Sequence, residues 1–126
     1  MNLTNGFRKV KGLPPLRWNQ GLCEIARRHS RDMAERGVPF GHQGFSNRVR
    51  LFPFLSSASA ENVAMSEGEV DPADAAVSGW VKSDGHRKNL LSKDFNSAAI
   101  GAYQVPGTNR WYITQLFGHY TGMSGP

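Results

Sequence analysis

The hydrophobic period changes along the chain, and that change limits the fold more than any other feature of the sequence. In the first two thirds the apolar residues recur at helical spacing. Leu22, Ala26, His29 and Met33 share one face, and Ala73, Ala76, Val77, Trp80 and Val81 form a second stripe. In the last third the pattern alternates instead. Ala98 to Val105 and Arg110 to Tyr120 are rich in branched and aromatic residues, and Pro106-Gly107-Thr108-Asn109 separates them as a hairpin signal. Trp111, Ile113 and Gln115 alternate with Tyr112, Thr114 and Leu116, so both faces are partly apolar, as in a sheet covered on each side. Helices early and strands late predict an α+β fold, with helices packed against a mainly antiparallel sheet.

Local signals divide the chain further. Asn2 to Lys11 reads as a first helix, stopped by Gly12 and Pro14-Pro15. Asn19 offers a side-chain cap for the second, which Gly37 and Pro39 end. Phe40 to Ser59 reads mostly as loop, with a short helical turn after Ser46, and Ala60 to Ser66 reads as a strand. Asp71-Pro72 is a cap followed by proline at the first helical position of a third helix. Gly85 is expected to break that helix, with a short one following through Leu90-Leu91. The 126 residues are expected to form one domain, 1–126, large enough for a hydrophobic core without staples. No apolar run approaches the roughly 20 residues of a membrane span, and Met1-Asn2-Leu3-Thr4 lacks the features of a secretory signal.

Charge and cysteine content narrow the function. The single cysteine, Cys23, excludes an internal disulfide framework and a multi-cysteine zinc knot, and it reads as a small buried residue. The net charge is +5, with basic clusters at Arg27-Arg28-Arg31, Arg48-Arg50 and Arg87-Lys88. Acidic residues split these clusters and no aromatics interleave them for base stacking, so they read as solvated faces and not as a nucleic-acid site. Nothing suggests a coiled coil, and a monomer is expected.

The candidate chemistry lies in Gly41-His42, Glu61-Asn62 and Gly85-His86. If His42, Glu61 and His86 converge, two neutral imidazoles and a carboxylate suit a borderline divalent cation such as Zn²⁺. A hydrogen-bonded polar cluster without an ion fits the same residues equally well. Ser83, three residues before His86, adds the ingredients of a hydrolase acting on peptide or cell-wall material. No glycine-serine-glycine elbow and no helical histidine pair with an intervening glutamate accompanies it, so a binding module is preferred to an enzyme. His29 falls on an apolar stripe and reads as a core histidine, and His119 as a surface one. Trp18, Trp80 and Trp111 read as core anchors. Gln115 either reaches the cleft or makes a buried hydrogen bond. Leu51, Phe52, Phe54 and Leu55 either line a groove for a small lipid or cover the core, and the core reading is preferred.

Several of these segments, taken in order, resemble the CAP (SCP-domain) superfamily of cysteine-rich secretory, antigen and pathogenesis-related proteins. They are Gly12-Leu13-Pro14-Pro15-Leu16-Arg17-Trp18-Asn19, Ala26-Arg27-Arg28-His29-Ser30-Arg31-Asp32-Met33-Ala34, Phe40-Gly41-His42 and Glu61-Asn62-Val63-Ala64. Ala76-Val77-Ser78-Gly79-Trp80, Gly85-His86-Arg87-Lys88-Asn89-Leu90-Leu91 and Trp111-Tyr112-Ile113-Thr114-Gln115-Leu116-Phe117 continue the match. The microbial, disulfide-poor branch fits best. The resemblance implies an α-β-α sandwich with a central cleft, in which His42 and His86 are the histidines and Glu61 the acid. Ser83 falls where many relatives carry a second acid. The resemblance also implies an extracellular or cell-envelope location and a small hydrophobic ligand, a sterol or lipid.

Overall fold

The computed structural model of the protein describes residues 1–123. Its elements run α1 (Asn2–Val10), β1 (Arg17–Trp18), α2 (Gln20–Ala34), α3 (Phe45–Arg50), β2 (Phe54–Glu67), α4 (Pro72–Val81), α5 (Asp84–Leu90), β3 (Ser97–Gln104) and β4 (Arg110–Met123). The expected caps are present. The Asn19 side chain accepts from the Leu22 amide, and Asp71 from the Asp74 amide with proline in the first turn. The α4–α5 break differs from expectation. It falls at Lys82-Ser83, and Gly85 lies inside the first turn of α5. β2 is also longer than expected, because it begins at Phe54, and the short β1 carries no periodic signal at all.

The four strands form one sheet in the order β1-β3-β4-β2. β1 runs parallel to β3, and the β3–β4 and β2–β4 pairs are antiparallel. The alternation of β4 sends Ile113 and Phe117 into a core with Val77, Trp80 and Leu90 beneath α4 and α5. Leu116 points the other way and packs with Leu22 and Ala26 of α2. The result is an α-β-α sandwich with a central, mainly antiparallel sheet.

Close approach of α2 to the sheet requires Gly101 of β3, since a β-carbon there would collide with the Ala26 and Arg27 main chain. With that side chain absent, Ser30 of α2 reaches down to donate to the Gly101 carbonyl (2.8 Å) and bonds Thr114 (2.8 Å). On the opposite face α1 is tied to the sheet by polar contacts. Asn5 exchanges two hydrogen bonds with the Leu16 main chain, and Gln115 donates to Thr4 at 3.1 Å.

The tryptophans divide. Trp80 is buried as expected, but Trp18 is 48% exposed and is not a core anchor, because β1 is a two-residue edge strand with little to cover it. Phe52 and Phe54 are buried with Leu22 and Ala26, whereas Leu51 and Leu55 face solvent. That segment covers the core, and its aromatic rings are not free to line a groove.

Candidate functional site

Two adjacent residues of β2 organise the site. Neighbouring side chains of a strand point to opposite faces, so Glu61 faces the α2–α3 layer while Asn62 faces α4 and α5. Each anchors the element on its own side.

Glu61 is buried and carries a dense set of donors. Arg48 of α3 grips it side-on, Nε to Oε2 at 2.6 Å and Nη2 to Oε1 at 2.8 Å. The same guanidinium donates to the Gln43 carbonyl (2.8 Å) and the His42 carbonyl (3.2 Å), which fixes the loop that carries His42. The His42 ring returns to Glu61, with Nδ1 2.9 Å from Oε1. An ionised carboxylate only accepts, so His42 carries its proton on Nδ1, and its Nε2 presents a lone pair on a half-exposed ring.

Asn62 performs the matching task on the other side. It donates to the His86 carbonyl at 3.2 Å and accepts from Asn89 at 2.9 Å, binding α5 to the edge strand. The His86 Nδ1 lies 2.9 Å from the Ser83 hydroxyl, which again engages one ring nitrogen and leaves Nε2 without a protein partner among the described residues. Burial lowers the pKa of His86, with a smaller electrostatic contribution from His42 in the same direction.

The remaining expected residues take simpler places. His29 is buried and its Nε2 donates to the Gly41 carbonyl at 2.7 Å, the satisfied core histidine expected, with Glu61 3.9 Å away. Burial lowers its pKa. The folded state therefore resists protonation more than the unfolded chain does. Its contribution to stability is complete above the ordinary histidine value of about 6.5 and is lost as pH falls from there through the lowered folded value. Urea midpoints measured from pH 7.5 down to 5 are expected to decline, with a shallower decline in His29→Gln. Gln115 is fully buried with α1 and does not reach the cleft. His119 is half-buried and bonds the Asp94 carbonyl.

Ser83 and Glu61 serve different rings, so no serine-histidine-acid relay forms among them. Asp84 does not replace the missing second acid. Its side chain is 94% exposed and pairs with Arg87 at 2.6 Å. Among the described residues no three histidine, cysteine, aspartate or glutamate side chains form a cage for a metal ion. The structure instead orients each imidazole separately, His42 through the Glu61 carboxylate and His86 through the Ser83 hydroxyl.

Arg48 is the functional residue that sequence reasoning misses, since it groups there with the solvated basic faces. The signal is present in β2, where an acid between Ala60 and Val63 needs a cation if it is buried. The short helix after Gly44 supplies that cation.

Comparison with known proteins agrees with this architecture. The chain is 35% identical over 122 residues to the uncharacterized membrane protein YlbC of Bacillus subtilis, covering 93% of this chain and 32% of that one. A crystal structure of an extracellular protein containing a SCP domain, from Bacillus anthracis, superposes with a TM-score of 0.75 at 32% identity, over 93% of this chain and 38% of the other. An outer surface protein of Borrelia burgdorferi shares the fold at a TM-score of 0.72 and 21% identity, over 95% and 89% of the two chains. This chain thus spans about a third of the length of YlbC. Among the described residues no helix is long and apolar enough to cross a membrane. The family model described as CAP, cysteine-rich secretory protein family, matches residues 1–117, and the chain belongs to that family.

Proposed function

We propose that the cleft is a binding site for a divalent cation of the zinc class, held by Nε2 of His42 and Nε2 of His86. The observation that carries this reading is the engagement of both Nδ1 atoms, each at 2.9 Å, by Glu61 and Ser83. A histidine that binds a metal commonly donates its other ring N–H to a carboxylate or a similar acceptor, which fixes the ring and raises its basicity. Glu61 is in this reading an orienting group, because Arg48 holds both of its oxygens. The lowered pKa of His86 keeps that ring neutral, the form a metal needs. An ion bound there keeps open positions for water or an anionic group of a ligand. Calorimetric titration with Zn²⁺ at pH 7.5 is expected to give one site, abolished by His42→Ala or His86→Ala and weakened about 10-fold or more by Ser83→Ala. Absence of heat with the unsubstituted protein counts against the reading.

A second reading concerns a single-chain lipid. An apolar groove of about 390 Å³ runs between α1 and α4, lined by Leu3, Phe7, Val10, Val77 and Val81, with Lys82 also in its wall. Leu3 and Val10 are 42% and 80% exposed, so apolar surface of α1 is open to solvent beside the groove. An acyl chain fits the apolar wall, and Lys82 offers a cation for its carboxylate. Displacement of a fluorescent fatty acid is expected to fail with Leu3→Gln/Val10→Gln, which leaves the core intact. Equal affinity of variant and parent removes the groove from consideration. The extracellular description of the SCP-domain protein from Bacillus anthracis supports a location outside the cytoplasm for this binding module.

A further inference from the structure

Among the described residues β2 is an edge strand, paired only with β4. Two observations show which of its main-chain groups point outward. The Val63 carbonyl accepts from Trp80 Nε1 at 3.1 Å, so it faces away from β4. Independently, Val105 donates to Arg110 at 2.9 Å across the hairpin, which turns Tyr112 and Thr114 toward β3 by alternation. Their β2 partners, Met65 and Val63, therefore direct their amides and carbonyls away from the sheet, and Glu67 follows two residues on. The main-chain groups of Met65 and Glu67 have no partner outside the sheet among the described residues.

Proteins usually cover or blunt such an edge. Here it borders a groove of about 480 Å³ that also reaches Ser83 and His86. Five consecutive residues, Val63 to Glu67, line one wall, which a strand presents only through its edge. Small residues of α4, Ala75, Ala76 and Gly79, line the groove as well. Ser66 is 8% exposed and its hydroxyl, in this groove, is buried with no hydrogen-bond partner. Glu67 and Glu69 also line it, an acidic pair on a chain whose net charge is +5. Glu67 meets Arg110 only at 3.5 Å with its side chain 59% exposed.

We propose that the outer edge of β2 from Val63 to Glu67 is a docking strand for an extended cationic peptide. The peptide adds beside β2 by main-chain hydrogen bonds to Met65 and Glu67, and a lysine or arginine side chain meets Glu67 and Glu69. Addition of a strand to an open edge takes its affinity from such bonds and its specificity from pockets for alternate side chains. A second copy of this chain fits less well, because edge-to-edge pairing crowds the same acids into one short ladder. The proposal does not depend on a cation at His42 and His86.

Heteronuclear NMR with a set of capped, lysine-containing heptapeptides tests it. Saturating peptide is expected to slow hydrogen exchange at the Met65 and Glu67 amides, with affinity falling at least tenfold when alternate peptide amides are N-methylated. Glu67→Gln/Glu69→Gln is expected to weaken binding several-fold and to flatten its salt dependence. Met65→Pro removes one outward donor at a position where an edge strand tolerates proline, and should abolish the protection. No binding by any peptide at millimolar concentration overturns the proposal, as does binding indifferent to N-methylation. Protection that rises with protein concentration in the absence of peptide assigns the edge to self-association and also overturns it. Loss of zinc binding with peptide protection intact would reject the cation reading alone.

Discussion

Arg48→Leu is expected to destabilise the protein by about 3–5 kcal/mol, the usual loss when one partner of a buried ion pair is removed. Glu61 has a side chain only 1% exposed and keeps its carboxylate in place without the two guanidinium bonds that compensate it. For a domain of this size such a loss lowers the thermal midpoint by about 10 °C or more. The effect extends to the loop before α3, since Arg48 also holds the His42 and Gln43 carbonyls. Zinc affinity should therefore fall in the variant even at temperatures where it remains folded. Arg48→Lys keeps the charge but lacks the planar fork, and an intermediate loss is expected. The double replacement Arg48→Leu/Glu61→Leu should recover part of the stability, because it removes the stranded charge along with its partner. Thermal denaturation of the parent, Arg48→Leu, Glu61→Leu and the double variant completes the cycle, and an Arg48→Leu loss below about 1 kcal/mol would mean that the pair behaves as a surface one.

The second large effect is expected at Arg8, whose side chain is buried with carbonyls as its hydrogen-bond partners. Its Nη1 donates to Leu90 and Ser92, each at 2.9 Å, and its Nε to Pro14 at 2.9 Å. Burial lowers its pKa, yet a guanidinium remains charged throughout the accessible pH range. The negative end of α5 is the compensation that the fold provides, because the carbonyls at a helix C-terminus attract a cation. Arg8→Met fills much of the volume but leaves those carbonyls without a donor. With hydrogen bonds to charged groups worth roughly 1.5–3 kcal/mol each, a loss of about 3 kcal/mol or more is expected by urea denaturation. Since α5 carries His86, zinc binding should weaken along with stability. A loss within about 0.5 kcal/mol would show that water satisfies the carbonyls after the side chain is removed.

The helices with caps and stripes were legible in the sequence, as was the hairpin, because each signal is local. Asn19, Asp71-Pro72 and Pro106-Gly107 act on the residues beside them. The sheet order was less legible. β1 forms because Arg17 and Trp18 meet Ser97 and Ala98 from far along the chain, and a two-residue strand has no period to detect. The extension of β2 back to Phe54 has a similar origin, since it follows β4 through a register irregularity between Leu55 and Ser59.

The site was legible in its ingredients and not in its wiring. His42, Glu61 and His86 stood out as residue types, and two of them do meet. That Glu61 is engaged by Arg48, and that Ser83 and not the acid orients His86, depend on which face of β2 each side chain takes. A one-residue change of register would exchange the roles of Glu61 and Asn62. Gln115 shows the same dependence. Its position in β4 turns it toward Thr4 and α1 instead of the cleft.

Glu61 engages Nδ1 of His42 and Ser83 engages Nδ1 of His86, and the zinc reading requires the two Nε2 atoms to face one ion. Long-range ¹H–¹⁵N spectra of the histidine rings, recorded at pH 7.5 during addition of Zn²⁺, test it most directly. Nδ1–H tautomers are expected for His42 and His86 in the free protein, with saturable shifts of both Nε2 signals at one equivalent of zinc while His29 and His119 stay unchanged. Nε2–H tautomers at those two rings, or zinc-induced shifts confined to His119, would contradict it.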